Sequence, residues 1–364
     1  MDRTPVRREK LVRTLKADQA DALLVSNATN VRYLTGFTGE DSVLLLTRDR
    51  AVIVSDGRFT TQLAQECPGL DARIRPIGQT QTDVVADAVS KLGVHRLLFE
   101  SAALSVAEYE AFRDKLPTVD LFGVADRVEA LRAIKDKGEV AAIREAVGFA
   151  ERAFAMLRAG LRPGESEKDV ADALEGYLRR CGATTASFPP IVAVGARSAL
   201  PHARPTAETR IGDADFVLID WGATGRPYKS DLTRVLVTGK VTPKFERIYR
   251  TVLAAQERGI AAIRPGVMAR DVDAEARSVI EEAGFGPFFD HGLGHGLGMD
   301  IHEAPRLRKG ADVPIRAGMV ITVEPGIYLP GWGGIRIEDD VLVTPDGCEV
   351  LTGVPRAFET VRVT

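Results

Sequence analysis

The histidines of this 364-residue chain are concentrated in one short segment. Three of the five, His291, His295 and His302, lie in HGLGHGLGMDIHE, residues 291–303, interleaved with glycines. Each glycine costs a helix about 1 kcal/mol relative to alanine, so the segment predicts a strand or extended loop rather than a helical zinc motif. In a strand His291 and His295 share one face, and the glycines permit close approach of another backbone or a substrate. Hydrogen-bonded surface histidines are the simpler alternative, but their concentration favours a function.

Four carboxylates stand at the ends of strand-like apolar runs in the second half of the chain. Asp220 closes FVLID, and Asp231 follows eleven residues later at the start of SDLTRVLV. Glu324 closes MVITVE, and Glu338 lies within GGIRIEDD. A charge at the end of a buried strand is costly unless it is paired or bound to a metal. With one imidazole, these acids form an oxygen-rich set suited to two divalent cations that share bridging carboxylates. A solvated acidic rim is the alternative.

These acids belong to an internal repeat. LRPGESEKDVADALEGYLRRCGA (161–183) and IRPGVMARDVDAEARSVIEEAGF (263–285) align at a constant offset of 102 residues. Each copy follows a helical run and precedes strand-like sequence. This predicts corresponding hairpins over residues 217–239 and 320–344, each made of a strand, a glycine-rich turn and a strand. Two related helix–hairpin halves packed face to face would place a ligand site at their junction.

The first third of the chain has a different pattern. ADALLVS, SVLLLT, RAVIVSD and RLLFE are short runs rich in aliphatic residues, whereas FTTQLAQEC and TDVVADAVSKLG carry apolar residues at helical spacing. This alternation predicts an α/β domain over residues 1–130. The charged KDKGE, residues 135–139, precedes a long amphipathic helix and marks the boundary. A second domain is therefore predicted over residues 135–364.

Composition excludes several classes of function. The net charge of −3, with 45% apolar and 27% charged residues, is typical of a soluble globular protein. It argues against a nucleic-acid partner or an anionic membrane surface. The charged N-terminus predicts no secretory signal, and no apolar run reaches the length of a membrane span. Cys67, Cys181 and Cys348 are far apart, which predicts a reduced, cytoplasmic location.

With these motifs, the chain resembles the pita-bread metallopeptidases, the family of aminopeptidase P, prolidase and methionine aminopeptidase. YKSDLTR, HGLGHGLGMDIHEAP, GMVITVEPGIY and GIRIEDDVLVT follow the family pattern in its order. NVRYLTGFTGEDSVLLLT is similar to the accessory domain of the proline-specific branch. The resemblance implies an α/β N-terminal creatinase-like domain and an α+β pita-bread catalytic domain with an internal pseudo-two-fold repeat.

The resemblance also implies a dinuclear metal centre. Asp231 and Glu338 would bridge two divalent cations, Asp220 would bind one of them, and His295 with Glu324 would bind the other. Four carboxylates and one imidazole favour Mn²⁺, with Co²⁺, Zn²⁺ or Fe²⁺ as alternatives.

Further roles follow from the same resemblance. Glu324 would act as general base and then general acid. His202, in SALPHARPT, and His302 would donate hydrogen bonds to the tetrahedral intermediate. The side chains that would frame the proline pocket are His291, His302, Tyr328 and Arg336. Arg336 could instead pair with Glu338 or Asp339, and Tyr328 could be ordinary packing. One departure from the family pattern is Ala196–Arg197, where relatives often carry a small residue and asparagine.

The implied activity is hydrolysis of the bond between an N-terminal residue and proline, in peptides with proline at the second position, by a homodimer. A prolidase restricted to dipeptides would need a cationic group for the proline carboxylate. The pattern commits no arginine to this role besides Arg336, which lies beside Glu338, although the N-terminal domain or a partner subunit could supply one. An open-ended aminopeptidase P is therefore favoured, and a prolidase is the alternative. A creatinase-like hydrolase and a non-catalytic pita-bread module are disfavoured because the five ligand positions are intact.

Overall fold

A computed structural model describes residues 3–363 of the chain. The chain folds into two compact units, Met1–Arg132 and Ala133–Thr364. Within the described residues, no helix has the length and apolar character required to cross a membrane.

A six-stranded mixed sheet with helices forms the first unit. Its strands are β1 (Ala22–Val25), β2 (Ser42–Thr47), β3 (Ala51–Asp56), β4 (Asp71–Arg75), β5 (Arg96–Glu100) and β6 (Asp120–Val124). Its helices are α1 (Thr4–Ala17), α2 (Ala28–Thr35), α3 (Thr60–Glu66), α4 (Gln81–Lys91), α5 (Val106–Lys115) and α6 (Glu129–Arg132). The strand order is β4-β3-β2-β1-β5-β6, and β1 pairs antiparallel with β2 and parallel with β5.

The two strands at the edges of this sheet are absent from the sequence prediction. β4 (DARIR) and β6 (DLFGV) are largely exposed, so neither has the continuous apolar run of the four inner strands. The inner strands lie where the aliphatic runs predict them, because burial on both faces leaves room only for such residues.

A buried polar network joins β5 to the start of α2. The Glu100 carboxylate accepts the backbone amides of Ser26 and Asn27, at 2.7 Å each. The fully buried Asn30 donates its amide group to Glu100 and to Glu129, at 2.6 Å each. Its oxygen accepts a 2.7 Å hydrogen bond from Arg132. Burial raises the pKa of Glu100. The chain's own carboxylate thus occupies the helix N-terminus at which α/β sheets often bind anions.

Asn30→Ala tests this network. The substitution removes one hydrogen bond from each of the Glu100 and Glu129 carboxylates and one from the Arg132 guanidinium group. We expect the free energy of unfolding to fall by about 1–3 kcal/mol, measured by urea denaturation. Gln62→Ala is the matched control, since this exposed amide also donates two hydrogen bonds, to Thr38 and Glu66. Its effect should stay within about 0.5 kcal/mol. Equal losses in the two variants would show that burial of the network contributes nothing.

The second unit is built from four helices and short strands. The helices are α7 (Lys137–Gly160), α8 (Glu167–Arg180), α9 (Pro243–Ala262) and α10 (Ala269–Glu282). The strands are β7 (Thr185–Ala186), β8 (Ile191–Val194), β9 (Phe216–Trp221), β10 (Ala223–Thr224), β11 (Leu232–Val237), β12 (Gly294–Gly296), β13 (Glu303–Leu307), β14 (Val320–Val323), β15 (Gly326–Leu329), β16 (Gly333–Arg336), β17 (Asp339–Val343) and β18 (Cys348–Val350). They form sheets of order β11-β9-β8 and β13-β12-β14-β17-β18, with β15–β16 and β10–β7 as separate pairs.

The internal repeat is visible in this unit. α8 and α10 each contain 14 residues, and their first residues, Glu167 and Ala269, lie 102 positions apart, as the sequence alignment predicts. β9–β11 and β14–β17 are the corresponding antiparallel pairs. The second pair differs from the predicted simple turn, because its connection folds into the β15–β16 hairpin. Ile327 and Ile335 face each other in that hairpin and are buried in the core, which stabilises the extra pairing.

Strand β9 is buried on both faces, and each face belongs to a different core. Leu218 packs in the core that contains α9 and α10, whereas Ile219 packs in the core that contains α7 and α8. Because successive side chains alternate, Asp220 lies on the face of Leu218, between the two halves. Thr233 of β11 is the partner of Asp220 in the register, so Asp231 projects from the same face. The pairing of β9 with β11 thus brings the first two carboxylates onto one face, at the junction of the halves.

Candidate active site

The second pair of carboxylates reaches the first across the junction of the halves. Glu338 forms an isolated β-bridge with Thr233, whose hydroxyl also donates a 2.6 Å hydrogen bond to the Glu338 carboxylate. Asp231, His295 and Glu338 each offer a ligand atom within 4.8 Å of the others. His295 Nε2 lies 3.3 Å from Glu324 Oε1 and 3.7 Å from Asp231 Oδ2. Acids predicted from separate strands therefore form one cluster.

Two glycines allow His295 to reach this cluster. β12 lies between β13 and β14, and a Cβ on Gly294 would stand 2.0 Å from the Thr322 carbonyl oxygen. A Cβ on Gly296 would stand 2.1 Å from the Ala304 carbonyl oxygen. The glycines therefore allow neighbouring backbones to approach closely. The His295 amide donates to Thr322 Oγ1 at 3.0 Å, and its Nδ1 lies 3.0 Å from the Gly296 carbonyl oxygen. These contacts leave Nε2 facing the carboxylates.

Burial and mutual repulsion shift the acidity of the cluster. Burial raises the pKa of Asp231 and of Glu338 well above the ordinary values, and repulsion by neighbouring carboxylates adds to the increase. Burial also raises the pKa of Asp220, although Arg336 opposes the change. Burial would raise the pKa of Glu324 too, but its hydrogen bond and electrostatic interaction with His295 lower it to about 2.

The cluster has the chemical character of a cation site. Among the described residues, buried Asp220 Oδ1 has no hydrogen-bond partner. Buried carboxylates that repel one another are stabilised by a nearby positive charge. The combination of carboxylates with one imidazole nitrogen fits a divalent cation of intermediate or hard character. The residues present therefore fit the predicted metal centre.

Arg336 connects this cluster to His291 through Tyr328. It forms a 2.5 Å ion pair with Asp220 and donates a 2.8 Å hydrogen bond to the Tyr328 hydroxyl. The alternative partners proposed from the sequence, Glu338 and Asp339, were therefore wrong. The pairing differs because β9 and β16 bring Asp220 to Arg336 from distant parts of the chain. Asp339 is neutralised instead by two other arginines, Arg234 and Arg356.

The hydrogen bonds of His291 define its protonation. Its Nδ1 lies 2.8 Å from the Gly292 carbonyl oxygen, which only accepts, and its Nε2 lies 2.9 Å from the Tyr328 hydroxyl. We therefore assign the proton to Nδ1, with Nε2 accepting from Tyr328. Burial lowers the pKa of His291, which favours this neutral form.

Ion pairs that the sequence did not reveal support two of the histidine segments. Arg277 pairs with Asp273 at 2.8 Å and donates to the carbonyl oxygens of Phe289 and His291. The second pair, Lys135 with Glu303, is buried beside His302 and spans 3.0 Å. A signal for the first pair is present in the sequence, because Asp273 and Arg277 lie on the apolar face of α10. An acid and a base four residues apart on such a face indicate a buried ion pair.

A cavity of about 1180 Å³ opens over the cluster. All the predicted site residues line it, namely His202, Asp220, Asp231, His291, His295, His302, Glu324, Tyr328, Arg336 and Glu338. The structure adds three arginines, Arg204, Arg306 and Arg308, to its wall. The sequence interpretation missed them because nothing in HARPT or EAPRLR indicates that these charged side chains face a cavity rather than open solvent. Burial, and next the electrostatic interaction with His295, lower the pKa of His302 to about 4, so its imidazole is neutral at pH 7.

Similarity to known proteins decides the family. Residues 141–345 match metallopeptidase family M24, and residues 7–134 match the creatinase/prolidase N-terminal domain. The chain belongs to metallopeptidase family M24. The Xaa-Pro dipeptidase of Pyrococcus furiosus is 34% identical over 96% of this chain and 98% of its own length.

Solved structures of M24 peptidases share the architecture. The Xaa-Pro dipeptidase from Bacillus anthracis has a TM-score of 0.93 and 38% identity, covering 97% of this chain and 99% of that one. The X-Pro aminopeptidase from Thermotoga maritima has a TM-score of 0.89 and 36% identity, covering 96% and 99%. These matches confirm the predicted fold class of an N-terminal creatinase-like domain with a pita-bread catalytic domain. They also confirm that this M24 protein is a metal-dependent peptidase.

Asp231→Asn tests the cluster as a metal centre. The variant keeps the backbone hydrogen bond from residue 231 to Asp340 and removes one repelling charge. We expect the metal-free protein to melt no lower than the wild type, whereas bound metal and peptidase activity fall together. Asp290→Asn, a cavity carboxylate outside the cluster, is the control and should retain its metal. Unchanged metal stoichiometry with near-normal turnover in Asp231→Asn, measured by calorimetry and peptide assay, would refute the assignment.

Proposed function

We propose that this M24 peptidase hydrolyses the bond between an N-terminal residue and proline, and that it prefers dipeptides. The observation that carries the proposal is the cavity, which combines a cluster of metal-binding groups with a wall of arginines. The dipeptide preference revises the expectation of an open-ended enzyme. The relatives named Xaa-Pro dipeptidase support it, although the Thermotoga maritima protein is named an aminopeptidase.

We further propose that two divalent cations bind at the cluster, with Mn²⁺ favoured over Co²⁺, Zn²⁺ or Fe²⁺. The shared position of Asp231 and Glu338 supports a bridging role. Asp220 would hold one cation, and His295 with Glu324 the other. When bound, such cations supply Lewis acidity and lower the pKa of water. The homodimer and the cytoplasmic location stay predictions.

The proton-transfer role is assigned to Glu324. Its carboxylate is ionised at neutral pH, because contact with His295 lowers its pKa to about 2. The Thr322 hydroxyl donates a 3.0 Å hydrogen bond to its Oε1, which fixes the orientation of the carboxylate. An ionised, oriented carboxylate in the cavity can accept a proton from the attacking water and pass it to the proline nitrogen.

His302 and His202 are assigned as hydrogen-bond donors to the tetrahedral intermediate. Both line the cavity, and both side chains are exposed to it. As a neutral imidazole, His302 donates one N–H without adding a charge. His291 has a different role, because its Nε2 already accepts from Tyr328. We assign it to shaping the proline side of the cavity.

The proline carboxylate is assigned to Arg306. Arg336 is unavailable for this role, since it is buried and paired with Asp220. Arg306 is the cross-strand partner of His295 in the β12–β13 ladder, so both side chains project to the same face. Its charge also contributes to the lowered pKa of His302. A guanidinium group so close to the cluster can meet a carboxylate that directly follows the first residue.

Arg306→Ala tests the dipeptide preference. A lost charge-assisted hydrogen bond is worth roughly 1.5–3 kcal/mol, so kcat/KM on Ala-Pro should fall by about 10–100-fold, mainly through KM. Cleavage of Ala-Pro-Ala should change little. Arg308→Ala, the next arginine of the same wall, serves as the matched control. A larger loss of kcat/KM on Ala-Pro in Arg308→Ala than in Arg306→Ala would show that Arg308 binds the carboxylate instead. If the wild-type enzyme cleaves Ala-Pro-Ala as well as Ala-Pro, the proposed dipeptide preference is wrong.

His302→Ala tests the donor assignment. Loss of a donor to developing charge should reduce kcat by about 10²–10³-fold with a smaller change in KM. Metal content should be retained, because His302 is not a proposed ligand. His95→Ala, which removes the exposed histidine of the first unit, should leave kcat unchanged. Loss of metal from His302→Ala in proportion to its activity would show that His302 acts as a ligand.

A further inference from the structure

The segment that carries His202 into the cavity is held from behind by an ion pair. This segment, residues 195–206, begins with a short 3₁₀ helix, Gly195–Ala199, and then turns back along the cavity wall. Leu200 and His202 line the cavity and are exposed to it. Neither member of the ion pair, Glu167 or Arg197, is among the lining residues.

The Glu167 carboxylate holds both ends of the segment. Its side chain is fully buried at the start of α8. It accepts the backbone amide of Val194 at 2.8 Å, just before the segment, and the amide of Thr206 at 3.1 Å, at its end. It also accepts Arg197 Nε on both oxygens, at 3.0 and 2.9 Å. One carboxylate thus ties together three points of the loop.

Arg197 adds a contact across the loop. Its Nη2 donates a 2.6 Å hydrogen bond to the carbonyl oxygen of Arg204, two residues beyond His202. The planar guanidinium therefore joins the helical start of the segment to the irregular stretch after His202, and lysine cannot reproduce this geometry. The side chain is 30% exposed, so the pair is reachable by substitution without opening the core.

The loop also rests on the strand that carries Arg336. Ser198 Oγ accepts the Gly334 amide at 2.7 Å, and Arg336 Nη1 lies 3.4 Å from the Pro201 carbonyl oxygen. Ser198 and Pro201 therefore fix the position of the loop against β16. Glu167 and Arg197 hold the ends of the loop together. His202 is confined between these two sets of contacts.

We propose that Glu167 and Arg197 are positioning residues, which fix His202 at the cavity so that it can donate to the reacting carbonyl. The proposal rests on the proposed function, because the reaction supplies its first readout. Without the pair, the loop would sample more conformations, and the fraction of molecules with His202 in place would fall. Loss of the pair would therefore reduce activity by displacing His202, and it would not act on any other cavity histidine.

A double-mutant cycle tests this dependence on the metal-loaded enzyme with Ala-Pro as substrate. Arg197→Ala should lower kcat/KM by about tenfold when His202 is present and by less than about twofold in the His202→Ala background. In the His302→Ala background, the about tenfold loss should persist. The kcat/KM of Arg197→Lys should lie between those of the wild type and Arg197→Ala, because lysine keeps the positive charge but lacks the planar set of donors of the guanidinium group.

Two controls separate positioning from general damage. Arg226→Ala removes an exposed arginine that donates to both oxygens of Glu145, through Nε and Nη2, and it should leave kcat/KM unchanged. Metal content and melting temperature of each variant show whether the fold is retained. An equal loss from Arg197→Ala in the wild-type and His202→Ala backgrounds would overturn the proposal, and so would no loss in either.

Amide hydrogen exchange provides a readout that does not depend on catalysis. Residues 198–203 should exchange about tenfold faster in Arg197→Ala than in the wild type, with no such change in Arg226→Ala. If the wild type cleaves neither Ala-Pro nor Ala-Pro-Ala, the proposed function fails, and faster exchange would still support the positioning role. Unchanged exchange in residues 198–203 would overturn that role whatever the activity.

Discussion

Repulsion among buried carboxylates is the constraint around which the second unit is organised. Asp220, Asp231 and Glu338 are brought together by strands from both halves of the repeat, and burial raises the pKa of each. Arg336 supplies the opposite charge to Asp220. Among the described residues, buried Asp220 Oδ1 keeps an acceptor that a cation can satisfy. Binding of a cation at this cluster would offset the electrostatic cost of bringing the carboxylates together.

Three of the four cavity histidines, His202, His291 and His302, share a second design feature. Each lies on a glycine- or proline-rich segment without much regular structure, yet each segment is held by an ion pair behind the cavity wall. The pairs are Glu167–Arg197 for His202, Asp273–Arg277 for His291 and Lys135–Glu303 for His302. Burial is the main cause of the lowered pKa of His291 and of His302, and nearby basic groups add to it.

The sequence predicted which residues form the site better than it predicted which of them pair with one another. Residue types, strand ends and the repeat were sufficient to identify the cluster, because a charge at the end of an apolar strand requires a local reason. The partner of Arg336 was missed, since Asp220 lies 116 positions away and pairing between halves leaves no local pattern. Arg306 was missed for a related reason, since it lies on the exposed face of β13, between buried Pro305 and Leu307, and nothing in the sequence indicates that this face borders the cavity. Edge strands β4 and β6 were missed because solvent, unlike a core, does not restrict side-chain type.

The glycines beside His295 also bear on how this enzyme can diversify. At Gly294 and Gly296 a side chain would enter the backbone of a neighbouring strand. A substitution at either glycine would push apart the strands that position the His295 imidazole. Mutations at the floor of the cavity are therefore a poor route to a new substrate specificity. The exposed wall has no such restriction, and Arg306 and Arg308 can vary without disturbing the three-strand contact. Substitutions that adapt the enzyme to other substrates are therefore expected at the rim of the cavity. The residues at its floor, which carry out the reaction, stay unchanged.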